Sequence, residues 1–269
     1  MTTYLDKICQ SKRIEIERQK EAIPLSDMKA LSDYQFRKKN SFKQALLESP
    51  SGIIAEFKRK SPSKGWIHPD ADVMQIVRSY ETAGAAAISC LTDEPFFGGS
   101  ITDFRKAREI VNIPLLRKDF ILDEYQLYQS KAIGADVILL IAACLTKEEI
   151  ARFTTLAHDL DMEVLIEIHE ELELSSIPLD ADVVGINNRN LKTFITDIQN
   201  SMELAKRIPD NYIKISESGL SSPETVNQLR QAGFRGFLMG EYFMKTEEPG
   251  EALREFIGEV RGESGKKSQ

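Results

Sequence analysis

From about residue 50 onward, short and nearly continuous apolar runs alternate with longer segments whose apolar residues recur at helical spacing among charged ones. The runs are Gly52–Lys58 (GIIAEFK), Ala86–Thr92 (AAISCLT), Pro114–Asp119 (PLLRKD), Asp136–Ala142 (DVILLIA), Glu163–Ile168 (EVLIEI), Val183–Asn187 (VVGIN), Tyr212–Glu217 (YIKISE) and Gly236–Gly240 (GFLMG). Parallel strands covered by helices read this way, because both of their faces are buried. The segments between them carry helix signals. Thr146 and Glu149 form a capping box, and Ser222 precedes Pro223 and Glu224 as a cap, a first-turn proline and an acid. Gly84, Gly134 and Gly233 stand where helices stop. The stretch after Glu170 is the weakest helix and ends at Pro178. Before the first run, Thr3–Glu48 reads as helices, with Leu5, Ile8, Lys12, Ile16 and Gln19 in an imperfect stripe.

Strands and helices in this alternation predict a single (β/α)8 barrel over residues 49–261. A helical amino-terminal extension (1–48) is expected to pack on it, and a disordered tail (262–269) to follow. The length of 269 residues suits one barrel of roughly 250 and leaves no room for a second. The competing fold is an open doubly wound sheet, which usually carries a glycine-rich turn after its first strand. Here the first strand runs instead into the basic KRKSPSKG (58–65). The tail GESGKKSQ resembles a P-loop, but Val260 occupies the position of the required first glycine.

Composition narrows the function classes. At 42% hydrophobic and 29% charged residues the chain can bury a full core. A net charge of −7 argues against a broad nucleic-acid surface, while leaving a local cationic pocket open. Cys9, Cys90 and Cys144 form no CxxC pair, so neither a zinc ribbon nor a disulfide framework is supported. The amino terminus turns charged at once, and no apolar run is long enough to span a membrane. A cytoplasmic protein is expected.

In a barrel of this kind, chemistry sits at the carboxyl ends of the strands. Those ends carry Glu56 and Lys58, Lys118, Glu167, Asn187 and Arg189, and Glu217. Residues two apart on a strand share a face, so acids and lysines converge on one rim. That pattern points to acid–base chemistry by lysine and glutamate, without metal-ligand spacing. The alternative is a ring of structural salt bridges. After strands seven and eight come Ser218–Gly219 and Gly240–Glu241, where glycine lets backbone N–H groups approach an anion. Lys58 and Ser61 can reach the same corner. The alternative there is a pair of tight turns. His158 reads as an outer-helix residue and His169 as a strand end with no identified partner. Trp66 reads as part of a lid, and Met239 and Phe243 as core.

The segments AEFKRKSPSKG (55–65), FFGGS (96–100), LLRKDFI (115–121), LIEIH (165–169), GINNRNL (185–191) and SESG (216–219) resemble the signature segments of indole-3-glycerol phosphate synthases, in order, from about Tyr4 to Glu259. The resemblance implies conversion of 1-(2-carboxyphenylamino)-1-deoxy-D-ribulose 5-phosphate to indole-3-glycerol phosphate, carbon dioxide and water, in tryptophan biosynthesis. No cofactor and no metal are implied. By the same resemblance Lys118 is the acid of ring closure, and Lys58 holds the anthranilate carboxylate near the phosphate. Glu167 and Glu56 serve the dehydration, and Asn187 holds substrate and catalytic groups. Arg189 and Glu217 tune the charge network, and Phe97, Phe120, Leu139 and Leu191 line the ring pocket. Ser61, Ser218, Gly219, Gly240 and Glu241 complete the phosphate site with Lys58. At position 241 a serine is also found in the family, so the glutamate implies a role for the backbone rather than the side chain. The expected partner is the phosphorylated small molecule, with no nucleic acid and no membrane, and the chain is expected to act as a monomer. Two rivals stand beside this reading. A phosphoribosylanthranilate isomerase would need a cysteine at the end of strand one, where Glu56 and Lys58 stand. A non-catalytic phosphate binder would need the glycine loops, but not two lysines and two glutamates around an apolar pocket.

Overall fold

In the computed structural model, which describes residues 3–35, 38–189 and 195–263, eight strands close into a barrel. They are β1 (Ile53–Phe57), β2 (Ala87–Leu91), β3 (Leu115–Lys118), β4 (Val137–Ile141), β5 (Glu163–Ile168), β6 (Val183–Asn187), β7 (Ile213–Glu217) and β8 (Phe234–Met239). Neighbours in the chain pair in parallel, and β8 returns to β1 with Phe237 opposite Ile53. Every expected run thus holds a strand: Glu163–Ile168 and Val183–Asn187 match it throughout, and the others are trimmed by one residue at one or both ends. β8 is the exception and starts two residues earlier, at Phe234. Its register against β7 shifts between Phe234 and Gly236, and Arg235 is turned out to solvent, which breaks the apolar pattern that marks the other strands.

Alternation along each strand sorts the residues into two apolar layers. Ile53, Ala55 and Phe57 of β1 face outward, into the layer shared with the helices. Ile54, Leu116, Val137, Leu139, Leu165, Val183, Ile213, Ile215 and Leu238 face into the barrel. Counting on by two from these inner residues reaches Glu56, Lys118, Glu167, Asn187, Glu217 and Gly240. The interior is therefore apolar below and charged at the carboxyl end.

Three helices precede β1: α1 (Tyr4–Ala22), α2 (Leu25–Asp33) and α3 (Phe42–Glu48). α3 closes the amino end of the barrel, where Phe42 and Leu46 join the interior apolar layer. Glu163 at the start of β5 holds it there, accepting from Ser41 Oγ (2.7 Å) and Lys43 N (2.8 Å). α1 lies at the other end, and its Tyr4, Leu5 and Ile8 line the cavity at the mouth.

Local signals act as their chemistry requires. Thr146 and Glu149 close a reciprocal capping box at the helix Lys147–Asp159, and Ser222 caps Pro223–Gln231. A second box, Thr3 with Asp6, starts α1. Gly84, Gly134 and Gly233 all have left-handed φ just past helix ends. The weak segment after Glu170 forms a short 3₁₀ helix, Glu171–Ser176, with Leu172 84% exposed. The loop after β1 folds into a two-residue hairpin, Lys60–Ser61 against Gly65–Trp66. From residue 264 on, the expected tail lies outside the described residues.

Candidate active site

The inward carboxyl ends of β1, β3, β5, β6 and β7 meet at the floor of a cavity of about 600 Å³. Lys118 Nζ lies 2.9 Å from Glu167 Oε2 and 2.9 Å from Glu217 Oε2. Glu167 Oε1 also accepts from Asn187 Nδ2 (3.1 Å), and Asn187 Oδ1 accepts from the Arg189 backbone N–H (3.0 Å). Lys58 Nζ sits 2.7 Å from Glu56 Oε1. Small residues make this crowding possible. A Cβ at Gly185 would stand 2.2 Å from Glu217 Oε1, and one at Gly240 would stand 2.6 Å from Glu56 Oε1. Each inward glycine clears the space that a neighbouring carboxylate fills.

The cluster is nearly dry, so its charges depend on one another. Burial alone would lower the Lys118 pKa, but Glu167 and Glu217 outweigh it and hold the ammonium charged more firmly than an ordinary lysine. Burial likewise opposes the charge of Glu167, yet Lys118 and His169 keep its carboxyl well below the usual glutamate range. Burial dominates at Glu217, which is pushed up to about 7 against the pull of Lys118. One of its oxygens, Oε1, is buried with no hydrogen-bond partner. A site with one firmly ionised carboxylate and one poised to take a proton is suited to moving protons rather than to bracing a rim.

His169 differs from its sequence reading, in which it had no partner. Its Nε2 lies 3.2 Å from Glu167 Oε1 and its Nδ1 lies 3.7 Å from Glu173 Oε2. Neither nitrogen is aligned for a hydrogen bond, so the contact is one of charge. Burial pulls the imidazole down, but the two carboxylates lift it to about 9. The 3₁₀ turn brings Glu173 back to the strand end, which sequence spacing alone did not reveal. His158 also has a partner, with Nε2 2.8 Å from Asp182 Oδ2 on the outer surface.

Apolar walls rise on one side of the cavity. The Phe97 and Phe120 rings are 6.0 Å apart at 37°, and Leu139 completes the face. Leu191, expected beside them, lies outside the described residues. On the opposite side come Ser61, Ser218, Gly219, Gly240 and Glu241, which all line the same cavity. Ser218 and Gly219 have consecutive left-handed φ of 70° and 72°. That conformation is uncommon for serine. Glu241 opens the short helix Glu241–Met244, in which the Phe243 and Met244 N–H groups donate to Gly240 O. Ser61 Oγ is buried with no hydrogen-bond partner. Arg189 Nη1 reaches Ser63 Oγ (2.6 Å) in the hairpin loop over the mouth. Trp66 is not among the lining residues; its ring is 59% exposed, 5.5 Å from Lys60 Nζ. Met239 and Phe243 are buried as expected, though Met239 also touches the cavity.

Sequence reading missed a second buried cluster. Lys12 of α1 is 1% exposed and contacts Asp119 Oδ1 (3.0 Å), Asp93 Oδ2 (3.1 Å) and Glu15 Oε2 (2.8 Å). The signal was present, because Lys12 falls in the stripe of Ile8 and Ile16, where a lysine needs a partner.

A parallel (β/α)8 barrel with coupled lysines and carboxylates at its carboxyl mouth defines the class: a barrel enzyme with acids and bases gathered at its mouth. The model of the family "Indole-3-glycerol phosphate synthase" matches residues 5–256. An indole-3-glycerol phosphate synthase of Bacteroides thetaiotaomicron is 52% identical over 261 residues, spanning 97% of this chain and 100% of the relative. Those of Neisseria gonorrhoeae and Caldanaerobacter subterraneus are 43% and 40% identical, spanning 93% and 96% of this chain and 97% and 99% of theirs. The chain belongs to the indole-3-glycerol phosphate synthase family.

Proposed function

We propose that this indole-3-glycerol phosphate synthase carries out its reaction at the mouth of the barrel, on 1-(2-carboxyphenylamino)-1-deoxy-D-ribulose 5-phosphate, with Lys118 as the acid of ring closure. The observation that carries this is Lys118 Nζ held 2.9 Å from both Glu167 and Glu217 on the floor of a half-apolar, half-polar cavity. The anthranilate ring lies against Phe97, Phe120 and Leu139, since a benzene ring needs an apolar surface. The phosphate lies toward Ser218–Gly219, Gly240–Glu241 and Ser61, where glycine turns and a helix amino end offer N–H donors. Lys58 stands between the two ends and holds the carboxylate.

The aryl carbon bearing the carboxylate attacks the ribulosyl carbonyl, whose oxygen gains charge and takes a proton from Lys118. Carbon dioxide leaves, and the electrons of the broken bond restore the aromatic ring. Water then leaves: Lys58, coupled to Glu56, protonates the departing hydroxyl, and Glu167 takes the proton from the neighbouring carbon. Asn187 orients Glu167, and Glu217 and Arg189 set the surrounding charge. Each such acid or base contributes roughly 10²–10⁴ in rate.

One chain supplies all these groups, which supports action as a monomer, and the free thiols of Cys9 and Cys144, 3.6 Å apart and unbridged, support a reducing, cytoplasmic location. The test is incubation with the substrate while following indole fluorescence. Wild type should turn over, and Lys118→Ala should bind but lose all but about a tenth of kcat or less. Binding without turnover in the wild type would instead mark a phosphate-ligand binder.

A further inference from the structure

We infer that Lys12 of the amino-terminal extension is a positioning residue for the aromatic half of the substrate. It acts through the two loops that carry Phe97 and Phe120, and so rests on the reading of those rings as the substrate's pocket. Lys12 is far from any surface role: its side chain and those of Asp93 and Asp119 are each 1% exposed. Each of the two aspartates has a second grip. Asp93 Oδ1 accepts from the Phe96 backbone N–H (2.9 Å), capping the four-residue helix Glu94–Phe97. Asp119 Oδ1 accepts from the Phe120 backbone N–H (2.8 Å), beside Lys118. The ammonium of Lys12 therefore binds at once the acid that sets Phe97's helix and the acid that sets Phe120's backbone.

α1 reinforces this clasp along its length. Tyr4 packs edge-on against Phe96, with ring centroids 5.9 Å apart. Leu5 and Ile8, the latter one turn before Lys12, enter the cavity lining beside Phe97 and Phe120. Asp119 also has partners besides Lys12, since Arg117 Nη2 (3.0 Å) and Thr92 Oγ1 (2.5 Å) hold its other oxygen. Lys12 thus links α1 to both loops of the ring pocket, pairing with Asp93 and sharing Asp119 with Arg117. The clasp's ion pairs and backbone hydrogen bonds lie at the loops that carry Phe97 and Phe120, so its loss should be felt at that end of the substrate.

Lys12→Met leaves two buried acids short of a partner and can fail to fold. Lys12→Met/Asp93→Asn removes the orphaned charge, and Asp119 keeps Arg117. The measurements are kcat and KM for the substrate, the dissociation constant of anthranilate and the inhibition constant of inorganic phosphate. Phe120→Ala and Lys12→Arg are measured alongside. The inference expects KM and the anthranilate constant to rise about tenfold or more in the double variant. It also expects phosphate inhibition to stay within about twofold, kcat to stay within about threefold, and Lys12→Arg to recover most of the loss. If Phe120→Ala weakens anthranilate but the double variant only melts earlier, Lys12 is structural and the inference is overturned. A parallel loss of phosphate affinity overturns it as well. If Phe120→Ala leaves anthranilate binding unchanged, the pocket reading itself fails, and the inference with it.

Discussion

At the scale of single residues, the site depends on which of three neighbouring groups holds the proton. Glu167 is kept ionised by Lys118 and His169, which suits the base role proposed for it. Glu167→Gln keeps the shape and removes the base, and should lower kcat by roughly 10²-fold or more with modest change in KM. The pH–rate profile should lose an ionisation, and turnover like wild type across the pH range would make the residue structural. His169 gives a second prediction. Its folded pKa of about 9 lies above the roughly 6.5 of an unfolded histidine. Its stabilising pairing with Glu167 and Glu173 is therefore complete below about pH 6.5 and is lost as pH rises through about 9. Urea midpoints of the wild type should fall across that window by the equivalent of on the order of 3 kcal/mol, and those of His169→Asn should fall less. Equal declines in the two proteins would remove His169 from the charge network. Glu167 and Lys118 were legible as candidates in the sequence because charge at the end of an apolar strand needs an explanation, and Asn187 because it is a polar residue at such an end. His169 was not, because its partner Glu173 arrives through a turn whose shape no local pattern announces.

At the scale of elements, the loops after β7 and β8 carry the backbone conformation on which the proposed phosphate site rests. Gly219 has a φ of 72°, and a Cβ there would stand 2.1 Å from Thr196 Cγ2. Gly219→Ala should raise KM and weaken inhibition by inorganic phosphate by about tenfold, while leaving the limiting kcat within about threefold. An unchanged phosphate constant would move the phosphate away from this turn. The elements themselves followed from periodicity and caps almost throughout. β8 departed because a register shift and an outward arginine interrupt its run, and the segment after Glu170 became only a 3₁₀ turn, as its poor pattern foreshadowed.

At the scale of the whole molecule, the barrel separates stability from chemistry along its axis. Its amino end is shut by α3 on an apolar plug, with Arg108–Asp136 (2.5 Å) and Glu163 as structural anchors. Its carboxyl end holds the cavity, under α1. Phe42 is fully buried in the plug, so Phe42→Ala should cost about 3–5 kcal/mol of stability. At a temperature where the variant stays folded, its kcat and KM should match the wild type; a large fall in kcat would show that the two ends are coupled. The division between the two kinds of information follows from range. Periodicity, caps and polar strand ends are local, and they sufficed for the barrel, for helices ahead of its first strand and for the choice of Lys118, Glu167, Lys58, Glu56 and Asn187 as candidates. Which charges pair, and with what effect on their protons, depends on residues brought together across the barrel: Lys118 with Glu217, 99 positions on, or Lys12 with Asp119. In a nearly dry interior the energy of a charge is set by its nearest partners. Those partners were chosen by closure of the sheet and by the docking of α1 across its mouth.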